Sequence, residues 1–169
     1  MARIECQVVI RAPLDRVFWF LANGDHAAEW SASVREAHHE TSPPIRVGSR
    51  LVVRAHAGRR EYVWTQEVTG WEPPNSFADR MLPGQGPFRT FQDWGRFEPT
   101  PEGVRFTFGL EYTLPGGPLG WLVDRLVIAP RVRADQRRSL ENARLLLEQV
   151  GGAAPSVADI SSTAPVVSS

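Results

Sequence analysis

The run RTFQDWGRFEPTPEGVRFTFGLEYTLPGG, residues 89–117, alternates so regularly that its two faces can be separated by parity. Strand side chains point alternately to opposite sides, so a half-buried strand reads with a period of two. Phe91 and Phe97 share the odd face with Asp93, and past the turn Phe106, Phe108, Leu110, Tyr112 and Leu114 form an even apolar face. Two such strands joined by a short turn pair antiparallel and bury one face. The chain is therefore committed to a sheet, and that sheet carries an acid on its apolar side.

The remaining segments extend the sheet. Residues 3–11 read as a strand, and Pro13 then stands where a helix can begin, because its missing N–H would be unpaired there anyway. LDRVFWFLAN places Val17, Phe18 and Leu21 at helical spacing and stops at Asn23-Gly24, and a second short helix is predicted over 25–30. Strand-like runs follow at 33–41, 49–57, 60–72, 76–82, 88–98 and 103–114, separated by Pro, Gly and Asn turn signals. After PGGP the period changes: Leu119, Leu122 and Leu126, then Val132, Leu140, Ala143, Leu147 and Val150, recur three and four residues apart. Pro130 lies between these stripes, and a kink or break is expected there before a long terminal helix.

This order predicts an α+β fold, a seven-stranded antiparallel sheet whose concave face is covered by the terminal helix. A sheet curved around one helix leaves space between them, where small-molecule cavities occur. The chain has 169 residues, enough for one domain with a real core, expected over 1–150. Residues 151–169 lack periodicity and carry almost no charge, and are expected to be a disordered tail. Zero formal net charge gives no electrostatic case for nucleic acid. The single cysteine excludes an intrachain disulfide, and Cys6 shares parity with Ile4, Val8 and Ile10 as a small hydrophobe. The charged N-terminus has no signal-peptide apolar region, and LGWLVDRLVIA is about half a membrane span and contains two charges, so a cytoplasmic location is expected.

The segments VVIRAPLDRVFWFLANGDHAAEW, VGSRLVV, EVTGWEPPNSF and LEYTLPGGPLGWLVDRLV, in this order, resemble the START-like, or SRPBCC, superfamily and its polyketide cyclase/dehydrase branch. The resemblance covers about residues 3–148. It implies a helix-grip fold, the curved sheet wrapped around the C-terminal helix with an internal apolar cavity. It implies less about activity, since relatives include lipid and quinone carriers, receptors, aromatase/cyclases and co-chaperone-like regulators.

No metal or cofactor is expected. His38 and His39 are adjacent and so face opposite sides of a strand, and neither a nucleophile elbow nor a dinucleotide fingerprint occurs. The predicted ligand-binding residues are Trp64, Phe91, Phe106, Phe108, Leu122 and Leu126, whose flat or branched surfaces suit a planar or polyene ligand. Asp93 has three readings: paired with an arginine such as Arg80, turned outward by a bulge near Gly95, or held in the cavity as an acid/base group. Similarity to the superfamily implies a histidine at this position with an acid opposite. This sequence has Asp93 and Phe108 instead, which leaves Asp93, with Tyr112 as hydroxyl partner, as the catalytic assignment.

The leading functional expectation is a binder of a hydrophobic, aromatic or polyketide-like molecule that promotes its cyclisation or dehydration. The alternative is a non-catalytic lipid or quinone carrier, and a third class, a partner-binding stress protein, needs an exposed apolar groove. Expected partners are thus a hydrophobic small molecule and, at most transiently, a membrane surface touched by residues 118–130, which are expected to act as a gate. A homodimer stays open.

Overall fold

The computed structural model describes residues 1–57 and 60–149. Strand β1 (Ala2–Ile10) is followed by helix α1 (Leu14–Leu21), a 3₁₀ turn (Gly24–His26) and the short helix α2 (Ala27–Trp30). Six strands come next: β2 (Val34–His39), β3 (Arg50–Ala57), β4 (Arg60–Glu72), β5 (Ser76–Met81), β6 (Thr90–Thr100) and β7 (Gly103–Thr113). The chain then turns helical through α3 (Gly117–Val123), a π-helical turn (Asp124–Ile128) and the long helix α4 (Ala129–Gln149).

The strands form one seven-stranded sheet in the order β1-β7-β6-β5-β4-β3-β2, every neighbouring pair antiparallel. This is the α+β helix-grip arrangement predicted from the order of strand and helix patterns. The break between the two helical stripes differs from the expectation. It falls at Asp124–Ile128, and Pro130 sits in the first turn of α4, the part of a helix that tolerates proline best. The expected tail over 151–169 lies outside the described residues.

The core divides into three hydrophobic clusters, the third of them, Ile4, Leu110 and Tyr112, lying where β1 meets β7. Val17, Phe18 and Leu21 of α1 and Leu140, Ala143 and Leu147 of α4 close on Ile10, Phe97, Val104 and Phe106 at one end of the sheet. Each large side chain fully buried there stabilises the fold by about 1.5–3 kcal/mol. Leu51, Val53, Ala55, Trp64 and Met81 form a second cluster across β3, β4 and β5. Because α4 packs along β1 and against α2, it does not close over this second cluster. The space left between helix and sheet is the cavity.

Candidate active site

The floor of the cavity is set by strand register. Val68 opposes Asp79 across β4–β5, Asp79 opposes Asp93 across β5–β6, Asp93 opposes Leu110 across β6–β7, and Leu110 opposes Ile4 across β7–β1. One row across five strands therefore reads Val, Asp, Asp, Leu, Ile, with two carboxyls side by side. Directly opposed antiparallel residues have Cβ atoms about 4.5–5.5 Å apart. The register of β5 on β6 continues without a shift to Phe77 opposite Gly95, so no bulge turns Asp93 outward. Gly95 is required here, since a Cβ would run into the Phe77 ring that lies across it. On β4, an extra residue between Val68 and Gly70 interrupts the pairing with β5, a bulge that adds twist beside the acids.

The cavity has a volume of about 1120 Å³, and Asp79, Asp93, Val68 and Leu110 all border it. Its walls are largely aromatic. Trp64 packs on Phe91 at 6.2 Å between ring centroids, Phe91 stacks on Phe88 at 5.3 Å, and Trp30 meets Phe108 edge-on at 5.7 Å. Gln66 Nε2 donates to Asp93 Oδ2 at 2.9 Å. Arg80, the arginine considered as a partner for Asp93, is exposed and opposes Glu67 and Gln92 instead. The parity of the strand puts it on the other face.

Two acids enclosed by apolar walls cannot both ionise cheaply. Burial raises the Asp79 carboxyl from an ordinary 3.8 to about 7. Asp93 is raised well above the ordinary carboxylate range, first by burial and then by the negative charge of Asp79, with the Gln66 hydrogen bond pulling the other way. The two titrate as a pair. Near neutral pH this pair holds a proton to give and has a site to receive one.

The predicted residues divide by position. Trp64, Phe91, Asp93 and Phe108 border the cavity. Phe106 does not: it is wholly buried in the core, stacked on Phe97 at 4.7 Å, where α1 and the end of α4 leave no space above the sheet. Tyr112 is the diagonal cross-strand neighbour of Asp93, but it is buried with its ring against Phe88 at 5.1 Å and does not border the cavity, unlike Leu110 of the same cluster. Leu122 and Leu126 are 45% and 67% exposed, and Val123 and Ile128 border the cavity in their place. The π-helical turn is the reason, because its wider winding rotates the apolar stripe away from the phase of an α-helix.

Asp79 is the residue that the sequence reading missed. Parity was a sufficient signal: in SFADRM, Asp79 alternates with Phe77 and Met81 just as Asp93 does with Phe91 and Phe97.

Comparison with known proteins agrees with this architecture. Zhui aromatase/cyclase from Streptomyces sp. R1128 superposes with a TM-score of 0.76 at 14% identity, covering 92% of this chain and 99% of that one. The protein TTHA0849 from Thermus thermophilus gives 0.74 at 18% identity, covering 90% and 100%. The di-domain ARO/CYC StfQ of the steffimycin biosynthetic pathway gives 0.70 at 16% identity, and this chain, 89% covered, spans 52% of its length. At these identities the likeness is one of fold. No curated protein sequence matches significantly. Among the described residues no helix is long and apolar enough to cross a membrane. Residues 1–148 match the family described as polyketide cyclase / dehydrase and lipid transport, and the chain belongs to it.

Proposed function

We propose that the cavity binds a hydrophobic, aromatic or polyketide-like molecule and promotes its cyclisation or dehydration, with Asp79 and Asp93 moving the proton. The observation that carries this reading is the pair of facing carboxyls in an aromatic-walled cavity. In a dehydration the ionised member of the pair takes a proton from the carbon next to a carbonyl. The protonated member delivers its proton to the departing hydroxyl, which leaves as water. A ring-closing aldol step uses the same two roles, the acid protonating the carbonyl oxygen that is attacked. General acid–base assistance of this kind contributes about 10²–10⁴-fold. Holding a flexible chain in a reactive fold contributes further, up to ~7–11 kcal/mol in the best cases. A volume of about 1120 Å³ admits a molecule of several rings.

The second reading is a carrier of a lipid or quinone without turnover. Exposed Leu122, Val123, Leu126 and Val127, beside the wall formed by α3 and the π-helical turn, favour it. The experiment that separates the two begins with native mass spectrometry of protein purified from its source, which identifies the bound molecule. Asp93→Asn and Asp79→Asn are then compared with the parent protein for affinity and product formation. Retained affinity with turnover lowered about 10²–10⁴-fold supports the enzyme. Turnover absent from the parent protein leaves the carrier, and turnover unchanged in both variants removes the two acids from the chemistry.

A further inference from the structure

Gln136 interrupts the apolar stripe of α4. Val132, Leu140, Ala143 and Leu147 recur at helical spacing, and Gln136 occupies the place four residues after Val132 and four before Leu140. The residue borders the cavity and is 5% exposed. Neither its amide nitrogen nor its amide oxygen has a hydrogen-bond partner among the described residues. Enclosing an amide with both ends unpaired is destabilising, and leucine would avoid that cost. A polar side chain kept under those conditions is explained by a partner that arrives with the ligand.

The surroundings hold this wall in place. Asn142 Nδ2 donates to the Trp30 carbonyl at 3.2 Å, and the Ala32 N–H donates to Ser139 Oγ at 2.8 Å, tying the segment after α2 to the same helix. Trp30 borders the cavity too, and its indole N–H is likewise enclosed without a partner among the described residues. The Gln136 carboxamide offers both donors and an acceptor. A ligand group that satisfies both ends offers a donor and an acceptor together, as the O–H of an alcohol, a phenol, an enol or a carboxylic acid does. An ether or a quinone carbonyl only accepts, and a hydrocarbon does neither.

We infer that Gln136 is a ligand-binding residue that reads a hydroxyl group at the helix wall of the cavity, and that the ligand is an aromatic bearing a free O–H rather than a bare acyl chain or a fully oxidised quinone. This rests on the proposed binding role of the cavity and adds to it a second polar anchor, on a different wall from Asp79 and Asp93.

Equilibrium dialysis of the full chain against 2-naphthol, 2-methoxynaphthalene and naphthalene, with thermal melting of each variant, provides the test. The parent protein is expected to bind 2-naphthol about tenfold more tightly than 2-methoxynaphthalene, the size of one well-made hydrogen bond. Gln136→Leu is expected to melt higher, to bind the two apolar probes as well as the parent does, and to lose the preference for the naphthol. Gln136→Met, which keeps length and volume, carries the same comparison if the leucine variant does not fold. A parent protein that binds the probes without preferring the naphthol overturns the inference and leaves the cavity reading standing, as does a preference that survives in the variants. Binding of none of the three probes overturns both.

Discussion

Asp79 and Asp93 are direct cross-strand partners on β5 and β6, and both open onto the same aromatic-walled space. No basic side chain forms an ion pair with either among the described residues, and the polar contact that anchors the pair is the Gln66 amide on Asp93. Such an arrangement is costly for a scaffold and useful for proton transfer, because it keeps a carboxylic acid protonated where a free one would be ionised.

The cost has a direction in pH. The folded chain holds a proton on Asp79 up to about pH 7, whereas the unfolded chain releases it near 3.8. Between those values the native state binds more protons, so stability is greatest at the acid end of that window and falls as pH rises toward 7. Asp79→Asn is expected to flatten this decline. At pH 7 it should also gain at least about 1 kcal/mol, or ~2–4 °C in melting temperature. With the neighbouring charge gone, the Asp93 midpoint should move down, which carboxyl NMR would detect. Thermal melts from pH 4 to 8 on both proteins are the check, and parallel curves would count against the pair.

Gln66 is expected to act as a positioning residue for Asp93. Gln66→Leu removes the hydrogen bond that opposes the upward shift, so the Asp93 midpoint should rise further. A loss of about 0.5–1.5 kcal/mol is expected with it. A purely structural role would give the stability loss alone, with the Asp93 titration unmoved.

Phe106 and Phe108 lie two residues apart on the same face of β7 and should behave differently. Phe106→Ala opens a hole in the sealed core and is expected to cost about 3–5 kcal/mol, with ligand affinity kept in the folded fraction. Phe108→Ala enlarges an existing cavity, so it should cost less stability while weakening ligand binding. Denaturant titrations beside binding measurements test this, and equal effects on affinity would refute the division between core and lining.

The segment from Gly117 to Ile128 should open more readily than the sheet. Gly116 and Gly117 have φ values of 104° and 57°, conformations glycine adopts freely, and a π-helical turn follows α3. Amides here are expected to exchange at least about tenfold faster than those of β6 and β7, and to slow when ligand binds. Protection equal to the central strands, unchanged by ligand, would rule out a gate.

The strands and their faces were readable because alternation in residues 76–114 maps directly onto a sheet buried on one side. The same alternation put Asp93 among the phenylalanines. Parity could not separate Phe106 from Phe108, since that depends on where α1 and the end of α4 close on the sheet. Leu122 and Leu126 were misplaced for a different reason. Their spacing is that of an α-helix, and the π-helical turn breaks the phase that spacing assumes. Gln136 could be found only by asking which residue of an otherwise apolar stripe has no partner.

That π-helical turn gives the cavity rim a one-residue allowance. A π turn accommodates one residue more than an α turn, and each residue of an α-helix advances the phase by about 100°. Deleting one residue within Asp124–Ile128 would convert the π turn into an α turn and fuse α3 and α4 into continuous α-helix, with Leu122 and Val123 staying close to their present phase relative to Gln136. Loss of a residue at this point is therefore absorbed, whereas loss of one within α3 would rotate the rim by about 100°. A descendant of this chain could shorten the helical wall there and keep the same faces on the cavity, without altering a residue of the seven strands.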